Sequence, residues 1–417
     1  MQMSHKKLSI LLIGVTLLVF AYSQAIAAPK ATLKFSSFQS GDVEKDWKEN
    51  RFPDYEKETG VRVEHVFINH GDTISTLLTW IAGGTAPDAA MLSAQYQNAL
   101  AAKGALVNLS ELVARIDPTY DFSDFWPKLL DTYKYQEDIY ALPSDLDLGL
   151  LWYNEELFDS AGVAYPDDTW TWDEYLAAAK KLTTGRGPGR IYGTAFPDYT
   201  FFLWQNGADI LSSDGKEVVI NSPEAIEAIQ FLADLISKHE VAPNPLTAGQ
   251  TGDLFQMGKA AMTLGPGPWY AHYVLEDVDF KWNTAPLPRN KTKATLAWGS
   301  SFGILSSSEN KEEAWEFIKW FLSPEQQFIR AKQFAWFPPG ATALQMPGFE
   351  SVSVMGMTAE QKELVMKEVE FGRSVIVVEN QNRISEIINR ELSLVWAGEK
   401  SPEEAVTIIA KEVQPLL

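Results

Sequence analysis

Strand-like and helix-like segments alternate along the chain immediately after its first 28 residues. Short runs rich in branched and aromatic residues are separated by longer stretches in which apolar residues recur every three or four positions. The predicted strands are Ala31–Ser36, Val61–Ile68 and Ala89–Leu92, and the predicted helices are Asp42–Thr59 (interrupted near Pro53 and ended by Gly60), Thr73–Ala82 and Gln95–Lys103. This alternation indicates crossover connections and a mainly parallel sheet with helices on both faces.

The remainder of the chain is richer in helices, and several of them have distinct start signals. Capping residues followed by proline or by an acidic residue occur at Thr171–Glu174, Ser222-Pro223, Ser323-Pro324 and Ser401-Pro402. A serine or threonine at the cap bonds the free amide groups of the first turn, and proline suits the first helical position. The apolar stripes of these helices, including the one over Asn310–Leu322, predict core packing.

The first 27 residues have the pattern of a secretory signal peptide. Lys6 and Lys7 precede a mainly apolar run over Leu8–Ala21, and Ala25-Ile26-Ala27 offers small residues at the cleavage positions. The apolar run is too short to span a bilayer. We therefore expect a mature chain that begins at Ala28 and is located in the periplasm. The chain contains no cysteine, so neither disulfide bonds nor a lipid-anchored cysteine is expected.

Charge and composition narrow the set of partners. The formal net charge is −20, and loss of Lys6 and Lys7 with the signal would make the mature chain still more acidic. Such a surface argues against nucleic acids and anionic membranes as partners. The 14 tryptophans, 14 tyrosines and 22 phenylalanines are many for this length and point to a ligand with flat apolar faces.

Motifs that resemble catalytic or metal sites lack their necessary partners. Gly299-Ser300-Ser301-Phe302-Gly303 matches the nucleophile-elbow pattern, but no histidine follows Ser300 as that hydrolase order requires. A glycine-rich strand end that a ligand can approach closely is the preferred interpretation. His65 and His70 have no third ligand at a suitable spacing. We therefore expect no metal, no cofactor and no nucleophilic serine.

Asp145 and Asp147 leave two alternatives open. They lie two residues apart in an extended-looking segment, so both side chains should point to the same side. A glycoside hydrolase uses two carboxyl groups at the scissile bond. The same two carboxylates could instead accept hydrogen bonds from sugar hydroxyls without any reaction.

A set of motifs along nearly the whole mature chain resembles the extracellular solute-binding proteins of ABC importers, in their sugar-binding branch. The matching segments, in the order of that family, are Thr85–Asp88, Gly104–Val107, Tyr140–Pro143, Leu151–Asn154, Trp170–Glu174, Phe255–Met262, Gly265–Trp269 and Asn310–Glu325. Each motif is short, and their common order and spacing carry the resemblance.

The resemblance implies an α/β fold of the type II periplasmic binding proteins, with two lobes that are each a mainly parallel sheet flanked by helices. It implies an N-lobe of 28–144 plus 288–323, a C-lobe of 145–287 plus 324–417, and about three crossings at the hinge. A monomer that closes on a carbohydrate and docks on membrane permease subunits is the implied mode of action.

The same resemblance supplies candidate ligand-binding residues. They are Gln39, Ser40, Ser93, Gln95, Asp145, Asp147, Tyr199, Trp204, Trp269, Trp298, Gly299, Ser300 and Trp336. Aromatic rings would cover the apolar faces of a pyranose while carboxylates, amides and hydroxyls bond its rim. A neutral di- or oligosaccharide is the expected ligand.

Three alternatives to this function remain open at the level of the sequence. A glycerol-phosphate or phosphodiester ligand would require a cation such as Arg190 or Arg373 in the cleft. An exported glycoside hydrolase would use Asp145 and Asp147. A carbohydrate-adhesion or sensor module would bind sugar without a permease.

Overall fold

A computed structural model describes residues 29–248, 252–334, 336–352, 357–376, 378 and 380–417. The signal-peptide prediction for residues 1–27 therefore lies outside the described residues. The strands are β1 Ala31–Ser37, β2 Val61–Phe67, β3 Ala89–Ser93, β4 Lys134–Tyr135, β5 Asp138–Ile139, β6 Leu142–Pro143, β7 Asp147–Leu148, β8 Leu151–Asn154, β9 Met262–Leu264, β10 Trp282–Ala285, β11 Thr295–Trp298, β12 Ser300–Ile304 and β13 Gly372–Arg373.

The helices are distributed along the whole described chain. They are α1 Gly41–Asp46, α2 Phe52–Thr59, α3 Thr73–Ala82, α4 Ala94–Ala102, α5 Leu109–Ile116, α6 Pro127–Asp131, α7 Glu155–Ala161, α8 Trp172–Leu182, α9 Tyr199–Gln205, α10 Pro223–Ser237, α11 Pro245–Ala248, α12 Trp269–Tyr273, α13 Lys311–Phe321, α14 Pro324–Phe334, α15 Ala341–Leu344, α16 Ala359–Glu368, α17 Gln381–Trp396 and α18 Pro402–Val413.

The first sheet has the strand order β2-β1-β3-β12-β6. Its N-terminal strands β2, β1 and β3 run parallel, as their alternation with helices predicts. Strands β12 and β6 come from later in the chain and extend the sheet in antiparallel pairing. The carboxyl ends of β1 and β3 therefore lie next to the start of β12, which brings Ser93 opposite Ser300.

The second sheet differs from the prediction of a mainly parallel arrangement. Its order is β10-β8-β9, and both pairings are antiparallel. Leu151, the first residue of β8, pairs with Leu264 and Ala285, the last residues of β9 and β10. β9 begins more than a hundred residues after β8, so the two strands are not joined by the single crossover helix that is typical of parallel neighbours.

A third small sheet, of order β13-β11-β7, lies where the chain passes between the two larger sheets. Within it, β7 pairs antiparallel with β11, so that Asp147 stands opposite Trp298. Through this pairing, the polar candidate Asp147 and the aromatic candidate Trp298 become neighbours although they are distant in sequence.

Among the described residues the buried side chains form three clusters, and the first of them combines residues of the first sheet with Trp152 of β8. Phe35, Trp47, Phe302 and Phe317 belong to the core of the first sheet, with ring centroids of Phe35 and Phe302 4.9 Å apart. The core around β8, α8, α10 and α17 is built mainly from aliphatic residues and the aromatic residues of α8 and α9. The residue boundaries of the two lobes stay a prediction.

The predicted helix starts are confirmed. Thr171 and Ser401 each form a complete capping box with the glutamate three residues later. The predicted interruption near Pro53 takes the form of a π-helical turn, Trp47–Arg51, between α1 and α2. The wider turn accommodates a proline that lacks an amide hydrogen and would clash in a regular helix.

Among the described residues, no helix has the length and apolarity needed to cross a membrane.

A substitution at Phe35 tests how much the core of the first sheet contributes to stability. Its side chain is fully buried (0% exposed) and touches the rings of Trp47, Phe52, Phe302 and Phe317. We expect Phe35→Ala to lower the free energy of unfolding by about 3–5 kcal/mol, measured by urea denaturation, because it leaves a cavity.

Phe67→Ala is the matched control, since Phe67 is 50% exposed at the end of the neighbouring strand. The control should change stability by about 0.5 kcal/mol or less. Equal losses in the two variants would contradict this assignment of the core.

Candidate functional site

A cavity of about 290 Å³ lies where the first sheet, the small third sheet and the start of α12 meet. Its lining combines five aromatic side chains, two carboxylates and several small polar groups. The lining residues are Phe38, Gln39, His70, Ser93, Asp145, Leu146, Asp147, Trp269, Trp298, Gly299, Ser300, Trp336 and Phe337.

Backbone hydrogen bonds fix the segment that carries the two carboxylates. The amide of Ser144 donates to the carbonyl of Ser300 at 2.8 Å, and the amide of Leu146 donates to the carbonyl of Phe337 at 2.9 Å. Since Asp147 also stands opposite Trp298, the segment is held from both sides. Its two carboxylates are consequently placed in one cavity with aromatic walls.

Asp145 has a partner for each carboxylate oxygen. Oδ1 accepts from the amide of Ser300 at 2.9 Å, and Oδ2 accepts from the hydroxyl of Ser144 at 3.0 Å. Burial raises the pKa of Asp145, while these hydrogen bonds and the nearby charge of Arg330 oppose the shift. A β-carbon on Gly299 would come within 2.4 Å of the Asp145 carbonyl oxygen, so the close approach requires glycine there.

The carboxyl group of Asp147 has fewer compensating interactions than that of Asp145. Burial raises its pKa well above the ordinary value, and the negative charge of Asp145 raises it further; backbone amides of Leu148 and Trp269 oppose both effects. A β-carbon on Gly267 would lie 1.8 Å from Asp147 Oδ1. The Gly-Pro-Gly-Pro turn before α12 therefore packs its bare backbone directly against this carboxyl group.

The aromatic walls are supported from behind. Trp336 packs edge-on to Trp47, with centroids 6.3 Å apart. Trp269 packs edge-on to Tyr270, with centroids 5.8 Å apart. The guanidinium of Arg330 lies 5.8 Å from the Trp336 ring centroid and 5.1 Å from that of Phe321. Indoles held in this way present fixed surfaces to a ligand.

Most of the sequence-predicted residues come together in this cavity. Those that line it are Gln39, Ser93, Asp145, Asp147, Trp269, Trp298, Gly299, Ser300 and Trp336. Whether they bind ligand stays a prediction. Gln95 lies on α4, and its side chain is outside the described part of the structure.

Ser40, Tyr199 and Trp204 do not line the cavity. Ser40 is exposed at the start of α1, and Tyr199 packs against the second core. Trp204 is 1% exposed, and its Nε1 donates to Asp209 while its ring lies under Arg373. Contact of these three residues with a ligand stays a prediction, and packing in the second lobe already occupies Trp204 and most of Tyr199.

Sequence reasoning missed Phe38, His70, Leu146 and Phe337. Phe38 adjoins Gln39, and Leu146 lies between the two carboxylates, so continuity along the chain could have identified both. From the sequence, His70 is of interest only as a possible metal ligand. Its ring instead packs edge-on against Phe38, with centroids 4.7 Å apart.

The described residues contain no group of three His, Cys, Asp or Glu side chains suited to a metal ion. Ser300 begins β12 and does not stand on a turn between a strand and a helix. The nucleophile-elbow interpretation therefore lacks its structural context.

A family model described as bacterial extracellular solute-binding protein matches residues 40–328, well over half of the chain. The chain belongs to this family. Its members are solute-binding receptors rather than enzymes.

Two solved structures and one relative illustrate the similarity. The ABC substrate-binding protein Lmo0181 from Listeria monocytogenes, in complex with cycloalternan, is 29% identical with a TM-score of 0.78, covering 93% of this chain and 99% of its own. Maltose-bound MalE3 of T. maritima is 26% identical with a TM-score of 0.73, covering 93% and 100%. The sn-glycerol-3-phosphate-binding periplasmic protein UgpB of Rhizobium meliloti is 24% identical over 336 residues, 76% of each chain. The chain shares the two-lobed α/β fold of these solved structures.

The environment of Asp147 predicts an unusual dependence of stability on pH. Its pKa is raised in the folded state, so the folded protein binds this proton more tightly than the unfolded chain does. The resulting stabilisation is complete below the unfolded pKa of about 3.9 and is lost as the pH rises through the folded value. Asp147→Asn should therefore gain stability relative to the wild type as pH rises, by at most about 1.4 kcal/mol per pH unit.

Urea unfolding of ligand-free protein from about pH 4 to 8 measures this difference. Asp117→Asn is the control: a hydrogen bond from Lys319 lowers the pKa of Asp117, so its effect on stability is confined to pH values below the unfolded pKa of about 3.9, and the stability difference for this variant should stay flat from about pH 4 to 8. A stability difference for Asp147→Asn that stays flat or falls with pH would refute the proposed environment.

Proposed function

We propose that this protein is the periplasmic receptor of an ABC importer and that it captures a neutral di- or oligosaccharide in the cavity between its lobes. One observation carries the proposal: the indoles of Trp269, Trp298 and Trp336 and the carboxyl groups of Asp145 and Asp147 line a single cavity.

The chemistry of the lining matches that of a sugar. A pyranose has apolar faces formed by C–H groups and a rim of hydroxyls that both donate and accept hydrogen bonds. Aromatic rings bury the faces, while Asp147, Gln39 and Ser93 can bond the rim. The named ligands of the two solved relatives, cycloalternan and maltose, agree with this chemistry.

The lining argues against a phosphate ligand, although one relative is named for sn-glycerol-3-phosphate. The described lining residues include two carboxyl groups and neither lysine nor arginine. Arg373 is paired with Asp209 at 2.6 Å, and the Arg190 guanidinium lies over the Tyr192 ring at 5.0 Å. A phosphate in the cavity would meet negative charge without the bidentate cation that usually binds it.

The same geometry favours binding over hydrolysis. Glycoside hydrolases place their two carboxyl groups on the two sides of the scissile bond. Asp145 and Asp147 come from one short segment, and both oxygens of Asp145 already accept hydrogen bonds. Neither carboxyl group is therefore arranged as one member of a flanking acid and base pair.

The proposal includes a mode of action. The segment around Asp147 would form one crossing between the two lobes. Two further crossings would lie near residues 285–288 and 322–325. Three crossings allow a hinge motion that closes the cavity on the ligand. A closed monomer would then dock on the permease subunits and release the sugar to them.

Trp269 provides the main test of the site. We expect Trp269→Ala to weaken sugar binding by about 2–4 kcal/mol, because it removes an aromatic face at the centre of the site. The ligand is first chosen by thermal shift from maltose, maltotriose, cycloalternan and sn-glycerol-3-phosphate, since a ligand of the folded state raises the melting temperature. Calorimetry then measures the affinity, and chromatography of the recovered sugar tests for cleavage.

Trp320→Ala is the matched control, because Trp320 lies on α13, packs on the first core and donates to Glu58 at 2.8 Å. The control should leave affinity unchanged. Stabilisation by the phosphate ligand alone, or cleavage of the sugar, would overturn the proposed function in favour of one of its alternatives.

Export gives an independent prediction. We expect the periplasmic protein to begin at Ala28, within one or two residues, because Ala25-Ile26-Ala27 supplies the small residues that signal peptidase requires. N-terminal sequencing of the periplasmic fraction measures this. An intact Met1 on functional periplasmic protein would rule out the cleavage.

A further inference from the structure

A chain of hydrogen bonds runs from the protein surface to the loop that enters the cavity after β1. Lys48 Nζ donates to Glu44 Oε1 at 2.6 Å, and His65 Nδ1 lies 3.0 Å from the same oxygen. His65 Nε2 lies 2.7 Å from Ser37 Oγ, which also accepts from the amide of Gln39 at 3.2 Å. Four consecutive contacts therefore connect α1, β2, the end of β1 and a residue that lines the cavity.

The chemistry of the groups determines which atom donates and which accepts in each hydrogen bond of this chain. The carboxylate of Glu44 can only accept, so the Nδ1 of His65 carries a proton. Burial lowers the pKa of His65, which leaves Nε2 unprotonated at neutral pH. Ser37 accordingly donates its single hydroxyl proton to Nε2, and its oxygen remains free to accept from the Gln39 amide.

The surroundings hold this arrangement in place. The His65 side chain is fully buried, and the ring of Trp47 packs edge-on against it at 6.4 Å. Beyond Ser37, the ring of Phe38 packs on His70. The loop is thus tied on one side through Ser37 and on the other through His70, and both Phe38 and Gln39 line the cavity.

We propose that Glu44, His65 and Ser37 form a positioning relay that fixes the backbone of Phe38 and Gln39 for ligand binding. The inference rests on the proposed function of the cavity. Linked hydrogen bonds reinforce one another in a buried setting, and supporting groups behind a binding residue commonly set its orientation. His65 acts through Ser37 and is therefore a positioning residue.

Ser37, His65 and Glu44 also have the connectivity of a nucleophilic triad. Ser37 is only 2% exposed and is absent from the described cavity lining, whereas the next two residues line it. Its oxygen is also occupied by the Gln39 amide. The arrangement fits the support of a loop and lacks the accessible oxygen that a nucleophile requires.

The first test needs no ligand. Hydrogen–deuterium exchange, resolved by mass spectrometry to single residues, measures the opening of the Gln39 amide in the complete mature protein. We expect His65→Leu to accelerate this exchange about fivefold, since the serine hydroxyl loses its acceptor and one hydrogen bond contributes about 1 kcal/mol. His65→Gln should restore slow exchange, because its amide oxygen can accept the Ser37 proton. Amides of β3 serve as the internal reference.

The second test measures maltotriose binding by calorimetry. His65→Leu should weaken binding about fivefold, because the loop that carries Phe38 and Gln39 loses its fixed position, and His65→Gln should restore the wild-type affinity within about a factor of two. His65→Leu and Ser144→Ala, which acts on Asp145, should combine additively within about a factor of two.

The outcomes separate this inference from the proposed function. Unchanged Gln39 exchange in His65→Leu, failure of His65→Gln to restore affinity, or labelling of Ser37 by a fluorophosphonate would each overturn the relay. If the wild type fails to bind maltotriose and the other sugars, the proposed function fails, and the exchange measurement alone still decides whether the relay exists.

Discussion

The placement of the segment from Ser144 to Gly149 is the constraint on which the rest of the structure depends. Backbone bonds tie Ser144 to Ser300 and Leu146 to Phe337 at its first end, and the Gly149 amide to the Leu296 carbonyl at its second. These bonds fix the position of the segment, and Asp145, Leu146 and Asp147 all line the cavity. Gly299 and Gly267 approach Asp145 and Asp147 so closely that neither glycine position has room for a β-carbon.

This placement carries an electrostatic cost that the surrounding residues offset only in part. Transfer of a carboxylate from water into a protein interior costs several kcal/mol unless partners compensate it. Asp145 has two hydrogen bonds and the charge of Arg330, whereas Asp147 has backbone amides and a like charge nearby. A ligand whose hydroxyls donate to Asp147 would supply the missing partners, so binding and relief of this cost coincide.

Arg330, which lies next to Trp336, also contributes to the electrostatics of this segment. Burial lowers its pKa to about 10, which still leaves it charged at neutral pH. None of its three guanidinium nitrogens has a hydrogen-bond partner among the described residues, and the rings of Phe321 and Trp336 flank it. A cation held by ring faces supports Trp336 from behind and lowers the energy of the Asp145 charge, which couples an aromatic wall to a carboxyl group.

Local patterns predicted the parts of this molecule whose causes are local. The parallel strands β1 to β3, the capping boxes at Thr171 and Ser401 and the disturbance before Pro53 depend on residues within a few positions. The antiparallel second sheet depends on where the chain returns after more than a hundred residues, which no periodicity encodes.

Trp204 and Trp269 are alike as residues in a sequence, and only tertiary packing decides that one meets Arg373 and the other the cavity. The contact between His65 and Ser37 arises from the register of β1 on β2 together with the position of α1, so its connection to Gln39 becomes visible only in three dimensions. Sequence therefore predicts which chemical groups the site has available, whereas long-range packing decides which of them act together.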